Sequence, residues 1–188
     1  TPKTSIDEYW NGVIPWFSVV DAPNYSDMFV IDTEKKVTEL GVANSSTKIL
    51  RKGTTIISAR GTVGKCALVG VEMAMNQSCY AIQGADSITD TYTYLSIREY
   101  VADLQQRGHG SVFNTITRDT FKTISVPFGN ADLTQAFEGS VAGSLKRILS
   151  NLFESQTLAK LRDVLLPKLI SGELRIPQAE KMVEKAVA

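Results

Sequence analysis

Between about Asp132 and Pro167 turn-forming residues thin out, and apolar residues recur at helical spacing. Leu133, Phe137, Val141, Leu145, Ile148 and Leu152 form one stripe; Leu158, Leu161, Leu165 and Leu169 form a second. No other feature constrains the fold so strongly. The step from Leu152 to Leu158 turns the helix by about 600° at ~100° per residue, so the second stripe is rotated well away from the first. One helix reaching residue 171 would measure roughly 60 Å for about 40 residues at 1.5 Å each. It would carry a different apolar face at each end. Such a rod cannot bury both faces against one small domain, so a partner is expected along Phe137, Val141, Leu145, Ile148, Leu152, Leu158, Leu161 and Leu165. Pro167 interrupts the hydrogen-bond ladder, which predicts a kink or break at about 163–166. Gly172 is a natural stop. The segments expected are a domain over 1–130, a helical spacer or dimerisation region over 131–175, and a short, charged, weakly helical tail over 176–188.

The first 130 residues follow a different grammar. Aromatic and β-branched runs are punctuated by turn residues: Ile14-Pro15-Trp16-Phe17-Ser18-Val19-Val20 before Asp21-Ala22-Pro23-Asn24, then Thr54–Arg60 between Gly53 and Gly61. Cys66–Val69, Ser78–Ile82 and Thr123–Val126 continue the pattern of short strands. One helix is predicted over 90–106, where Tyr94, Ile97, Val101 and Leu104 share a face and Asp90 suits the N-cap. A shorter helical turn should follow Thr117, with Asp119 at the positive end of its dipole. Several short strands with few helices between them predict a small, strongly curved sheet. The fold class is therefore α+β, a curved-sheet domain followed by a long C-terminal helix.

Balanced charge, 20 Lys+Arg against 20 Asp+Glu, with 43% hydrophobic residues, argues for a packed core and against disorder. It also removes the basic surface that announces many nucleic-acid binders, without excluding base readout by local donors and acceptors. No apolar run approaches the ~18 residues of a membrane span. Thr1-Pro2-Lys3-Thr4-Ser5 has neither an initiating Met nor a signal-like stretch, so the expectation is a chain that begins inside a longer gene product. Cys66 and Cys79, with His109 the single histidine, are too few for a zinc site or a disulfide scaffold. Reduced thiols in the cytoplasm are expected, and no metal or cofactor.

The motifs that suggest catalysis fail on inspection. Ala59-Arg60-Gly61-Thr62-Val63-Gly64-Lys65-Cys66 resembles a phosphate-binding loop, but Ala59 stands where the first Gly belongs and Cys66 replaces the magnesium-holding hydroxyl. A glycine-permitted turn between two strands is the plainer interpretation. Asp7-Glu8, Asp32 with Glu34, and Asp86 with Asp90 sit in polar surroundings typical of solvated loops. Neither Asn/Asp-Pro-Pro-aromatic nor Phe-x-Gly-x-Gly occurs, so the adenine methyltransferase motifs are absent. His109 lies in Arg107-Gly108-His109-Gly110-Ser111, a loop that faces either DNA or plain solvent.

Several segments together resemble one family. Glu8-Tyr9-Trp10-Asn11-Gly12-Val13-Ile14-Pro15-Trp16 is similar to the opening of a target-recognition domain in the specificity subunits of type I restriction–modification systems. So is Gly53–Gly64 with Met75-Asn76-Gln77-Ser78 after it, then the loop Gly108–Ser111 leading to Phe113 and Ile116, and the strand Ile124-Ser125-Val126-Pro127. The ending Leu161-Arg162-Asp163-Val164-Leu165-Leu166-Pro167-Lys168-Leu169-Ile170-Ser171-Gly172-Glu173-Leu174 resembles the close of the family's helical spacer.

The resemblance implies a non-catalytic subunit that reads one half of a bipartite site in double-stranded DNA. It would hold an adenine methyltransferase subunit and a restriction/translocase subunit in place. Members carry two recognition domains and two spacers, and this chain has one of each. It is either the C-terminal half of a larger subunit or a half-subunit that pairs with a copy of itself through antiparallel spacers, about one or two duplex turns long at ~34–36 Å per turn. DNA-contacting candidates, by residue type and loop position, are Asn24, Tyr25, Ser26, Lys48, Lys52, Arg60, Thr62, Lys65, Gln105, Gln106, Arg107, His109 and Ser111. Lys52, Arg60 and Lys65 suit phosphates; Arg107, His109 and the 24–26 loop suit bases. Asn76-Gln77 is family-like, though its amides suit bracing of nearby backbone, and Trp10 and Trp16 suit the core. The alternatives are a helical protein–protein scaffold that no longer reads DNA and, last, a nucleotide-dependent enzyme built on the 59–66 loop.

Overall fold

The computed structural model describes residues 1–108 and 115–187. The chain divides into two compact units, Thr1–Ala142 and Gly143–Ala188. The first is α+β. Its strands form two sheets in place of the single curved sheet expected. One has the order β3-β1-β6, with β1 (Trp10–Phe17), β3 (Lys35–Val37) and β6 (Ala74–Met75). The other runs β2-β5-β4-β7, with β2 (Phe29–Val30), β4 (Thr55–Ser58), β5 (Cys66–Val69) and β7 (Cys79–Ile82). Strands of two to four residues such as β2, β3 and β6 give no alternation long enough to read from sequence.

β4 sits inside its sheet, antiparallel to β5 on one side and β7 on the other, with Ile56 opposite Ala67 and Ala81, and Ile57 opposite Cys66 and Tyr80. Successive strand residues point to opposite faces, and the core divides accordingly. Ile56 joins Phe17, Val30, Val69 and Met73 on one face, whereas Ile57 joins Ala59, Leu104 and Ile116 on the other. The small sheet has its own cluster around Trp16, Val37 and Ala74, with Trp10 edge-on to Trp16 at 5.6 Å. Both tryptophans thus belong to the fold's apolar packing.

The Ile57 face is covered by α2 (Asp90–Glu99), α3 (Val101–Gly108) and α4 (Arg118–Lys122). The single helix expected over 90–106 is divided at Tyr100. The division is slight, since the Tyr100 amide still donates to Ser96 (3.1 Å) and its carbonyl accepts from Leu104 (2.9 Å). The predicted stripe survives it: Tyr94 and Leu104 are buried, and Ile97 and Val101 pack against the cluster that holds Leu104. The N-cap is Thr89, which accepts from the Tyr92 amide, and not Asp90. Asp90 is engaged elsewhere, pairing with Arg51 and accepting from the Gly84 amide at 2.9 Å. The turn after Thr117 is α4, closed by a reciprocal cap between Thr117 and Thr120.

Thr123–Val126 is not a strand and joins neither sheet. Its Ile124 amide closes back onto Phe121 and its side chain packs on the helix-side cluster; the β-branched composition serves burial in an irregular segment. A short helix, α1 (Glu39–Ala43), capped by Thr38, completes this unit together with the opening turns of α5 (Ala131–Ile170). Those turns are tied down by Thr134 Oγ1 donating to Ser87 O at 2.7 Å and Thr91 Oγ1 donating to Glu138 Oε1 at 2.9 Å.

α5 is assigned without a break through Pro167, contrary to the interruption expected at 163–166. The proline lies in the last turn, where it forfeits a single bond, and its own carbonyl still accepts from Ser171 at 3.0 Å. Gly172, at φ +75°, stops the helix, with its amide and that of Leu174 closing onto Leu169 and Lys168. The tail is more ordered than expected: Ile176–Val187 is a helix, α6. Within the second unit Leu165 and Ala179 are buried, each 7% exposed.

Candidate nucleic-acid interface

The strand β4 leaves the core through a tight loop before β5 returns, and this loop is the segment that resembled a phosphate cradle. Ser58 organises it: its hydroxyl donates to Thr62 O (2.5 Å) and accepts from the Lys65 amide (2.9 Å). Gly61 and Gly64 hold φ +73° and +89°, a backbone region that strongly favours glycine. The result is a hairpin turn with Arg60, Thr62 and Lys65 exposed. At Gly64 a Cβ would lie 2.6 Å from Gln105 Nε2 and 2.8 Å from Val101 Cγ1, so the loop lies directly on α3. Gln105 Nε2 donates to Val63 O at 2.7 Å. Gln105 was expected to face DNA; instead its amide is half-buried and braces the hairpin.

A second loop reaches the same place. Asn24–Asp27 is a turn closed by the Asp27 amide on Asn24 O at 2.9 Å, and Asn24, Tyr25 and Ser26 are all exposed. Arg98, on α2, donates to Tyr25 O at 2.8 Å. A cavity of about 80 Å³ separates the two loops, walled by Tyr25, Lys65, Cys66, Tyr94 and Arg98. At roughly 30 Å³ of liquid volume per water this is space for a few waters. Burial pushes the Cys66 thiol up to about 12, opposed by the Arg98 charge, so it is neither thiolate nor nucleophile near neutral pH.

The structure therefore gathers Asn24, Tyr25, Ser26, Arg60, Thr62 and Lys65 around one end of the four-stranded sheet, beside α3. Gln106 is exposed on that helix, which also carries Arg107. His109 and Ser111 lie outside the described residues. Two candidates are elsewhere. Lys52 occupies the turn that enters β4, the opposite end of the strand from Arg60, next to the Arg51–Asp90 pair. Lys48 lines a separate cleft with Asn76, Gln77 and Arg118. Asn76 Oδ1 accepts from the Ser78 amide at 3.0 Å and Gln77 pairs with Thr1, so this amide pair braces backbone and terminus.

Among the expected partner-facing residues, Phe137 packs edge-on to Tyr92 at 6.5 Å. It thus belongs to the first unit's own packing, because the opening turns of α5 are docked there. Leu165 is buried within the second unit. Val141, Leu145, Leu152 and Leu161 are half-buried, and Ile148 and Leu158 are 43% and 47% exposed. Arg98 and the bracing role of Gln105 escaped the sequence reading. The one local signal for Arg98 is its place one helical turn after Tyr94; its loop partner is 73 residues away. Among the described residues no three His, Cys, Asp or Glu side chains are placed to hold a metal ion, and no helix is long and apolar enough to cross a membrane.

These features define an α+β domain that presents polar side chains on braced loops and is continued by a long helix. Residues 1–132 match the type I restriction modification DNA specificity domain, and the chain belongs to that family of specificity subunits. It is 30% identical over 140 residues to the type I restriction enzyme MjaIX specificity subunit of Methanocaldococcus jannaschii, across 72% of this chain and 32% of that protein. It is 25% identical over 179 residues to the HindI specificity subunit of Haemophilus influenzae, across 93% and 38%. The HsdS subunit from Thermoanaerobacter tengcongensis shares the fold, with TM-score 0.56 and 16% identity over 93% of this chain and 41% of that one. A chain from a structure concerning complex assembly and conformational transition of the type I R-M system matches at TM-score 0.54 and 18% identity, over 89% and 41%. The chain spans about a third of the length of the curated relatives it matches.

Proposed function

We propose that this chain reads one half of a bipartite site in double-stranded DNA and, without catalysis, metal or cofactor of its own, positions an adenine methyltransferase subunit and a restriction/translocase subunit. The observation that carries the proposal is the convergence of the Asn24–Ser26 and Arg60–Lys65 loops at one sheet end, in a chain of the specificity family. In this reading residues 1–130 recognise DNA, 131–175 form the spacer, and 176–188 the tail. Arg60 and Lys65 hold phosphates, which orients the domain, while Asn24, Tyr25, Ser26 and Gln106 read base edges; Arg107, His109 and Ser111 join them in this reading by residue type alone. Lys48 and Lys52 contact DNA only if the duplex extends past this face. Val141, Leu145, Ile148 and Leu152, with Leu158 and Leu161 further on, pair the spacer with an antiparallel partner, either a second copy or a second recognition half. Cytoplasmic work suits two unpaired thiols.

The test is a methylation map. The chain is expressed with its modification subunit in a host lacking other adenine methylation, and every modified adenine is located. A bipartite palindrome is expected if two copies pair, and an asymmetric bipartite motif if a second recognition half completes the subunit. No modified motif from a soluble complex, both with the chain alone and after coexpression with a second recognition half, would refute the DNA-reading function. In the same assay Arg107→Ala should relax one base position, a loss of ~1–3 kcal/mol; an unchanged motif would remove Arg107 from the base-reading set.

A further inference from the structure

Tyr25 leaves 84% of its surface open at the apex of the Asn24–Asp27 turn. A ring that far into solvent has little packing of its own to fix it, and the turn is closed by one backbone hydrogen bond. What fixes the apex comes from α2. The Arg98 guanidinium lies with its carbon 4.5 Å from the Tyr25 ring centroid while its Nη2 donates to Tyr25 O at 2.8 Å. Arg98 is seated in turn on Tyr94, with its guanidinium carbon 5.6 Å from that ring and Nη1 3.4 Å from the phenol oxygen. Tyr94 is 1% exposed, its ring enclosed by the surrounding packing. A continuous path thus runs from the core through one planar cation to the tip of an exposed turn.

We propose that Arg98 is a positioning residue for sequence recognition, pre-setting the Tyr25 turn so that its side chains meet the base edges without being ordered first; the inference rests on the DNA-reading function proposed above. The guanidinium uses its flat face on the tyrosine ring and its edge on the carbonyl at once. An ammonium, a point charge on a flexible stem, offers one or the other but not both. Without the brace the turn samples other conformations, and ordering it is subtracted from specific affinity. Attraction to the phosphates does not need the turn's geometry and is left intact.

The experiment uses the complete chain in complex with its modification subunit. A random-duplex selection defines the target for the unaltered protein. Affinity for that target and for a scrambled duplex is then measured between 50 and 200 mM salt for Arg98→Lys, Tyr25→Leu and the double variant. For Arg98→Lys the target-to-scrambled ratio is expected to fall about tenfold, the worth of one charge-assisted hydrogen bond. Scrambled-duplex affinity and salt slope should stay unchanged, and the melting temperature should fall by no more than about 2–5 °C. Tyr25→Leu keeps the carbonyl that accepts from Arg98 but removes the ring and a proposed base contact, so it should lose at least as much, and adding Arg98→Lys to it should cost less than Arg98→Lys does alone. A retained ratio, an equal loss on both duplexes with a shallower salt slope, or fully additive losses would each overturn the role. An unaltered protein that selects no sequence would overturn the DNA-reading function itself and this role with it.

Discussion

Gly64→Ala tests whether the β4–β5 hairpin is truly locked onto α3, and Gly61→Ala supplies the control. Both glycines have positive φ, +73° at Gly61 and +89° at Gly64, so either alanine bears about 1–2 kcal/mol of backbone strain. They differ in what a methyl group meets. At Gly61 nothing lies within 4 Å, whereas at Gly64 the methyl would sit 2.6 Å from Gln105 Nε2 and 2.8 Å from Val101 Cγ1. Gln105 is long enough to swing aside, but doing so breaks its 2.7 Å bond to Val63 O, worth ~1 kcal/mol. Val101 is β-branched and stiff at χ1, so it adds a further fraction of a kcal/mol. Gly64→Ala should therefore destabilise the first unit by ~3 kcal/mol against ~1.5 kcal/mol for Gly61→Ala. Urea denaturation followed by the fluorescence of Trp10 and Trp16, both within that unit, measures the difference. In a Gln105→Ala background the bond is already gone and the amide no longer obstructs, so the cost of Gly64→Ala should fall by about 1 kcal/mol. Equal effects of the two glycine substitutions, with additivity against Gln105→Ala, would refute the docking.

Placing Leu145→Asp and Leu152→Asp together in the middle of the α5 stripe should abolish spacer pairing, because it puts unpaired carboxylates into an apolar seam; sedimentation of an unchanged assembly would count against the seam. Lys65→Ala should lower the salt slope of DNA binding by about 1, while Lys52→Ala, at the other end of β4, should leave it alone; the reverse order would move the interface to that end. Burial pushes the Cys79 thiol up to about 12, so the folded chain keeps its proton where the unfolded chain has lost it. Stability should thus decline as pH rises from ~9 towards 12, by at most ~1.4 kcal/mol per pH unit from this group. Cys79→Ala should flatten that decline in denaturation measured across pH 8–11, and an identical pH dependence would refute the assignment.

The family and the division of the chain into a mixed domain and a long helix were legible in the sequence. Resemblance of its short motifs carries the family, and local periodicity carries the division: Tyr94, Ile97, Val101 and Leu104 marked a buried stripe, and the Leu133–Leu152 repeat marked α5. Local rules failed where a competing long-range partner existed. Asp90 looks like a cap and is drawn off by Arg51, 39 residues away; Thr123–Val126 looks like a strand and finds no sheet edge; Pro167 looks like a break and falls where α5 ends anyway. Composition and loop position alone could propose Lys48, Lys52, Arg60 and Lys65 as equals. Only the antiparallel path of β4 and β5 put Lys65 beside the Tyr25 turn, with Arg60 at the same sheet end, and carried Lys52 to the far end of the strand. The same holds for Arg98 and Gln105, whose contacts lie 73 and 42 residues away along the chain. Side-chain type and helical spacing are properties of neighbours in sequence. Which loops share a surface, and which polar groups are used up in holding them, depends on contacts that exist only once the two faces of the sheet are packed.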